Sequence, residues 1–250
     1  MKNKQIKTNS KKRSPLKNKP LRYAGKSIYE HIDNLFTDNF VPYLLISILC
    51  IALAGNEWMR FYINSLPSPK MMTFIALLVI LFSYYKIKKM LREVKQLKLG
   101  REGERVVGEH LDILREKGYK IFHDIVGDHF NIDHVIISVK GIFVIETKTY
   151  SKPNEKDAQI HFNGREITVD GLQLSKNPID QATASSNWLQ NLLKESTGKE
   201  FQIKQVIVFP GWFIETTEEG KKSSCWVLNP KALPQYIENE KTSITTEDAS

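Results

Sequence analysis

Two apolar runs dominate the hydrophobic pattern of the amino-terminal part of the chain. Residues 41–55 and 71–85 each contain 15 consecutive uncharged positions. Each run makes roughly 22 Å of helix, against the ~30 Å hydrocarbon core of a bilayer. Residues 36–40 can lengthen the first run and Ile87 the second, and the side chains of Arg60, Lys70 and Lys86 can reach the headgroups. Because neither run has a polar face, we predict two membrane-spanning helices joined by a short loop containing Pro67 and Pro69; buried or interfacial helices are the alternative.

The charges around these runs are distributed asymmetrically. Residues 1–100 carry 18 Lys and Arg against 5 Asp and Glu, whereas residues 101–250 carry 18 against 23. Ten basic and no acidic residues lie within 1–26, and the second run is followed by Lys86, Lys88, Lys89 and Arg92. The positive-inside rule therefore predicts a multi-pass cell-membrane protein with both termini cytoplasmic. The basic tail is predicted to contact anionic lipid headgroups, with nucleic-acid phosphate as the alternative.

These patterns divide the chain into four parts. Residues 1–35 form a basic tail predicted to be disordered, and 36–90 form the two-helix transmembrane hairpin, which contacts the lipid bilayer. Residues 91–240 form a globular domain, and 241–250 a polar tail predicted to be disordered. The two cysteines lie far apart in the sequence, which excludes a disulfide framework and a CxxC zinc site.

Within the domain, apolar periodicity predicts both helices and strands. A helix runs from residue 88 to residue 117, with Leu99-Gly100 as a candidate break. Strands are predicted at 119–123, 131–139, 142–148, 159–162, 166–169, 204–209 and 225–228, and further helices at 177–195 and 231–238. The dipeptide Asn163-Gly164 favours a tight turn between two of these strands. The order helix, three strands, helix, strand, with an inserted hairpin, predicts an α/β fold in which helices flank a mixed sheet.

One Glu-x-Lys triplet differs from the others in its context. The pattern occurs at Glu93, Glu146 and Glu219, but only Glu146 and Lys148 end an apolar strand. Two charges at such a position are costly to bury unless something holds them.

The preceding strand contributes a second carboxylate. A reversal at residues 140–141 predicts an antiparallel hairpin in one of two registers, with Asp133 opposite either Lys148 or Glu146. Side chains alternate along a strand, so both registers place the three residues on one face. Two carboxylates side by side suit Mg²⁺, which prefers one or two carboxylates plus water and phosphate oxygens. An ion pair closing the edge of the hairpin is the alternative.

Four motifs, in order, are similar to those of one enzyme family. They are Gly100-Arg-Glu-Gly103-Glu104, Asn131-Ile-Asp133-His134-Val135, Lys140-Gly141-Ile-Phe-Val-Ile-Glu146-Thr-Lys148 and Asn177-Pro178-Ile-Asp-Gln181. On these motifs, residues 100–230 resemble the nuclease-related domain (NERD) family, a branch of the PD-(D/E)xK nuclease superfamily.

The resemblance implies a restriction-endonuclease-like αβββαβ core and a role for each motif residue. It implies that Asp133 and Glu146 bind Mg²⁺ (or Mn²⁺), with Glu104 as an additional acidic ligand from the first helix. It implies that Lys148 is the catalytic lysine and that Gln181 orients the site. Strand alternation points His134 away from Asp133, which favours a packing role for this histidine.

The sequence thus predicts a membrane-anchored, Mg²⁺-dependent phosphodiesterase, which is a hydrolase. It is expected to cut DNA at the cytoplasmic face of a bacterial-type membrane, with RNA as the less favoured substrate. A net charge of −5 over residues 101–250 gives no strong electrostatic attraction for DNA, although local lysines or the basic tail can supply it. One alternative is a non-catalytic, membrane-tethered nucleic-acid-binding or scaffold module that keeps the nuclease fold. Another is an integral-membrane accessory protein in which the hairpin is the working part.

Overall fold

The computed structural model describes residues 21–63, 68–127, 130–152 and 158–249. Most of the basic tail and Pro67 of the predicted loop lie outside these residues. Two long helical segments, Lys26–Tyr62 and Pro69–Glu116, are long and apolar enough to cross a membrane. Most apolar side chains in the candidate spans are exposed, in contrast to those of a buried core helix.

The first segment begins earlier than its hydrophobic run. It consists of α1 (Lys26–Leu35), a π-helical turn (Phe36–Phe40) and α2 (Val41–Tyr62). The sequence analysis placed α1 in the basic tail, predicted to be disordered. The structure shows a helix instead, because Ile32 is buried against Met90 and Val94 of the second segment.

The second segment is a single helix, α3 (Pro69–Glu116), which runs from the candidate span into the domain. The candidate break at Leu99-Gly100 is absent. A Cβ at Gly100 would lie 3.6 Å from Ile28 Cδ1, so this glycine sits against α1 within an uninterrupted helix. The helix ends at Glu116, and Gly118 follows with a φ of 88°, the left-handed conformation that glycine favours after a helix.

The α/β domain is built on a five-stranded mixed sheet, in the order β1-β2-β3-β7-β9. Its strands are β1 (Lys120–Val126), β2 (Asn131–Ser138), β3 (Gly141–Thr147), β7 (Ile203–Val208) and β9 (Cys225–Leu228). The first three strands form an antiparallel meander, and β7 and β9 run parallel to β3. One core cluster joins α3 and α6 (Leu233–Asn239) to the sheet, and another includes Leu189 of α4 (Pro178–Thr197). The predicted fold class, a mixed sheet flanked by helices and preceded by two long apolar helices, is confirmed.

A second, four-stranded sheet covers part of this core. Its order is β6-β5-β4-β8, from β4 (Gln159–Phe162), β5 (Ile167–Val169), β6 (Leu172–Gln173) and β8 (Phe213–Thr216). The sequence predicted only the hairpin of β4 and β5. The short α5 (Glu218–Lys221) and a 3₁₀ turn (Pro230–Ala232) complete the regular elements of the described residues.

The polar carboxyl-terminal tail packs on the domain, although the sequence predicted disorder for it. The backbone N–H groups of Ser243 and Ile244 donate to the Val139 carbonyl at 3.0 and 3.3 Å. Ile244 is buried against the sheet. One apolar side chain thus anchors an otherwise polar segment.

Candidate active site

The hairpin of β2 and β3 fixes the central part of the site. Ser138 pairs with Gly141, and continuing this register places Asp133 opposite Glu146. This is one of the two registers left open by the sequence, and it puts Asp133 and Glu146 on one face. Asp133 Oδ2 accepts a hydrogen bond from the Thr147 backbone N–H at 2.7 Å, which fixes the orientation of this carboxylate.

Lys148 links the end of β3 to helix α4. Its Nζ donates to Glu146 Oε1 and to Gln181 Oε1, both at 2.7 Å. Asn177 caps α4, with its side chain accepting from the Ile179 N–H, so the first turn that carries Gln181 is well defined. The ion pair that the sequence left as an alternative is therefore present, and it involves Glu146.

Helix α3 brings a third carboxylate, Glu104, to the same place. Its electrostatic neighbours are Asp133, Glu146 and Lys148. Close approach of the helix depends on Gly103, where a Cβ would lie 2.1 Å from Thr149 Cγ2. The glycine that precedes Glu104 in the motif therefore has a steric reason to be there.

The carboxylates lie in an environment that favours their protonated forms. Burial, and next the charge of Asp124, raise the pKa of Glu104 to about 7. Withdrawal from solvent, with the charges of Glu146 and Glu104, raises the pKa of Asp133 well above its ordinary value. Burial also raises the pKa of Glu146, against the opposing effect of Lys148. A cation that joined this group would relieve the repulsion between the carboxylates.

The three carboxylates are oxygen ligands of the kind that suits a hard cation, one that is also held by water and substrate. Among residues 21–63, 68–127, 130–152 and 158–249, no group of three or more His, Cys, Asp or Glu side chains is arranged so that it could hold a metal ion by itself. Mg²⁺ is commonly held by one or two carboxylates together with waters and substrate phosphates. The oxygen-only set of Asp133, Glu146 and Glu104 fits that mode of binding better than an all-protein cage.

Asp124 is a fourth acidic residue of this region, and the sequence analysis missed it. Its side chain is nearly buried, and its backbone adopts a φ of 51°, which is uncommon for a non-glycine residue. It accepts hydrogen bonds from Arg22 Nε and from the Ser27 backbone N–H. The only sequence signal was an aspartate within the apolar strand β1, where an unpaired charge is costly.

His134 lies outside the carboxylate group. It is fully buried, and its Nδ1 lies 2.7 Å from His123 Nδ1 on the neighbouring strand. Burial lowers the pKa of His134 well below its ordinary range. A neutral, buried imidazole agrees with the packing role favoured by strand alternation.

An open cleft of about 860 Å³ lies beside Lys148 and Gln181. Its lining combines cationic, aromatic and polar side chains: Phe130, Asn131, Lys148, Tyr150, Ser175, Lys176, Asn177, Pro178, Asp180 and Gln181. The Lys148 side chain is partly exposed to solvent, whereas Glu146 is almost entirely buried. A bound chain in the cleft would meet the ammonium group first.

The chain is similar to a known bacterial protein over a short part of its length. The chain is 39% identical over 56 residues to an uncharacterized protein of Bacillus anthracis, an alignment that covers 20% of this chain and 26% of the relative. The chain thus matches about a quarter of that relative's length. No solved structure matches the chain.

The family model for the nuclease-related domain matches residues 99–210. That range includes every site residue proposed from the sequence: Glu104, Asp133, Glu146, Lys148 and Gln181. Residues 99–210 of this chain are therefore a nuclease-related domain.

Proposed function

We propose that this protein is a membrane-anchored, metal-dependent nuclease that hydrolyses phosphodiester bonds of DNA, with RNA as the less favoured substrate. The observation that carries the proposal is the position of Lys148. Its Nζ lies between Glu146 and Gln181, at the wall of an open cleft and next to three carboxylates with raised pKa values. Perturbed acidic groups beside a cleft are typical of functional sites.

The residues divide the chemistry between them. Asp133 and Glu146, with Glu104, would hold Mg²⁺ or Mn²⁺, which supplies positive charge to the phosphate and acidifies a bound water. Lys148 stabilises the negative charge that develops on the phosphate as water attacks and the P–O bond breaks. Gln181 holds the lysine ammonium in place through its Oε1, so that little reorganisation is needed during the reaction.

The cleft offers contacts for a nucleic-acid strand. Lys148 and Lys176 can pair with backbone phosphates, and Phe130 and Tyr150 offer aromatic surface for bases. These local cations offset the net negative charge of the domain. Such contacts recognise the backbone and stacking rather than a base sequence.

The membrane part of the proposal rests on the two apolar helices. Helix α3 continues from the candidate span into the domain, and Glu104 lies 19 residues after Tyr85. At 1.5 Å per residue the site would stand roughly 28 Å from the end of the span. The basic flanks favour cytoplasmic termini, with the basic tail on anionic headgroups. Protease protection of a terminal tag in sealed, right-side-out vesicles tests this topology.

The competing proposal is a membrane-tethered binding or scaffold module. The ion pair of Lys148 with Glu146 favours it, since such a pair can be purely structural. The two proposals are separated with the full chain in detergent micelles, incubated with plasmid, linear duplex, single-stranded DNA and RNA in Mg²⁺, Mn²⁺ or EDTA. Metal-dependent cleavage of any substrate supports the nuclease. Binding of folded protein without cleavage of any of them supports the module.

A further inference from the structure

The segment before α1 reaches across the structure to the carboxylate group. We define the arm as residues 21–25, the stretch that leads into α1. Arg22 Nε donates to Asp124 Oδ2 at 2.5 Å, and the Ser27 backbone N–H donates to the same oxygen at 3.0 Å. The first contact joins residues 102 positions apart in the sequence. The arm therefore packs on the domain and not only on the membrane hairpin.

The arm also contacts the helix that carries Glu104. The backbone N–H of Gly25 faces the Glu104 carboxylate and acts to lower the pKa of that group. Gly25 has a φ of 75°, and a Cβ there would lie 2.6 Å from Arg101 Cγ. A Cβ at Gly108 would lie 3.2 Å from Ala24 Cβ. Two glycines thus allow the backbone of the arm to approach α3 closely.

Neighbouring elements hold the arm in this position. Arg22 Nη2 also bonds to Ser27 Oγ at 3.0 Å and to Glu30 Oε2 at 2.8 Å, so the guanidinium joins the arm to the first turns of α1. The N–H groups at the start of a helix favour a carboxylate, which is where Asp124 lies. Ile32, further along α1, is buried against α3.

Electrostatics explains why this contact matters for the site. Asp124 is 2% exposed and Glu104 8% exposed, and each lies within the electrostatic field of the other. Two buried carboxylates repel strongly unless a cation compensates one of them. Arg22 pairs with Asp124, which lessens this repulsion at Glu104.

We propose that the arm completes the nuclease site, with Arg22 and Asp124 as positioning residues that hold Glu104 in its ligand-binding orientation. This inference rests on the proposed function and adds to it. It makes the membrane-proximal segment and the catalytic domain one working unit. A domain fragment without the arm would lose the cation that pairs with Asp124.

The test uses the full chain in detergent micelles. The variants are Arg22→Ala, Arg22→Lys and the double variant R22A/D124N, with Lys26→Ala in the first turn of α1 as the control. Two quantities are measured against Mg²⁺ concentration: the shift in melting temperature, which needs no activity, and the initial rate of DNA cleavage.

The proposal makes a specific expectation for each variant. Arg22→Ala should raise the Mg²⁺ concentration for half-maximal effect about tenfold or more in both measurements, the usual cost of losing a residue that supports a metal ligand. Arg22→Lys should recover part of this loss. R22A/D124N should lie closer to wild type than Arg22→Ala does, because the uncompensated charge is gone. Lys26→Ala should match wild type.

The outcomes separate the two proposals. Unchanged Mg²⁺ half-saturation in Arg22→Ala, with or without a lower melting temperature, would show a purely structural arm and overturn the inference. A wild-type protein that Mg²⁺ stabilises but that cuts no DNA would overturn the proposed function alone. The Mg²⁺-dependent shifts in melting temperature of the variants would then still test the role of the arm. A protein with neither response would overturn both.

Discussion

Lys148 Nζ donates to Gln181 Oε1 at 2.7 Å, and this hydrogen bond joins the end of β3 to the first turns of α4. The two residues lie 33 positions apart in the sequence, one directly after a strand and the other near the start of a helix. The same ammonium also pairs with Glu146, so its position is set from two sides. A charge fixed in this way at the wall of a cleft can act on a bound phosphate without first reorganising.

Gln181→Ala should therefore lower the cleavage rate while leaving the fold intact, because Gln181 is exposed. Hydrogen bonds to charged groups contribute about 1.5–3 kcal/mol, which corresponds to roughly a 10- to 100-fold lower rate if the bond is needed in the transition state. Gln190→Ala is the matched control, since Gln190 lies on the same helix and bonds to the Phe201 carbonyl instead. Equal rates for both variants would show that Gln181 does not position the lysine.

Gly103→Ala should destabilise the domain by about 1–3 kcal/mol through overpacking. The added Cβ would lie 2.1 Å from Thr149 Cγ2, too close for real atoms, so the Thr149 side chain or the backbone on either side of the contact must shift. Gly100→Ala on the same helix is the control, because its Cβ would meet only ordinary contacts at 3.6 Å or more. Denaturant unfolding of both variants measures the difference, and equal loss of stability would contradict the close packing.

Without divalent cations, stability should fall as pH rises from about 4.5 towards 8. The folded protein holds a proton on Glu104 up to a pKa of about 7, whereas an unfolded glutamate releases it near a pKa of about 4.3. The stability linked to this proton is complete below the unfolded pKa and is lost as pH rises through the folded one. The raised pKa values of Asp133 and Glu146 act in the same direction.

Melting temperatures of wild type and Glu104→Gln across this pH range test the assignment. The variant carries no titrating proton at this position, so its curve should be flatter than that of wild type. Parallel curves would mean that Glu104 ionises normally in the folded protein.

A separate loss of stability is expected on the acid side. Burial lowers the pKa values of both His123 and His134, whose Nδ1 atoms share one short hydrogen bond and cannot both carry protons. For depressed histidine pKa values, stability is present above the unfolded pKa of about 6.5 and is lost as pH falls below it. His134→Leu should make the melting temperature depend less steeply on pH below about 6.5. An unchanged dependence would mean that other groups cause the loss of stability in acid.

The sequence predicted the parts of the site that depend on local spacing. Asp133, Glu146 and Lys148 share a face in either register of a short hairpin, so alternation alone was sufficient. The choice of register was not predictable, because it depends on whether the two-residue turn comprises residues 139–140 or 140–141. The role of Gln181 was predicted only from the family resemblance, because no local sequence pattern indicates that the start of α4 lies next to the end of β3.

Long-range contacts account for what the sequence did not predict. Arg22 looked like one more charge in a basic tail, and its partner Asp124 lies 102 residues away. Likewise, Ile244 seemed isolated in a polar tail until the β2–β3 turn provided a surface for it. The helix α1 was hidden because its average composition is polar, although Ile28, Ile32 and Leu35 fall on one face.

The central claim is that Lys148 belongs to a working nuclease site, and one comparison tests it most directly. Initial rates of plasmid cleavage in Mg²⁺ are measured for the full chain as wild type, Lys148→Ala and Lys221→Ala. Lys221 is the control because it also ends a Glu-x-Lys triplet but is exposed and pairs with Glu218 on α5. The proposed function predicts metal-dependent cleavage by wild type and Lys221→Ala, and its loss in a folded Lys148→Ala protein. Cleavage that persists in Lys148→Ala, or is absent from folded wild type, would contradict it.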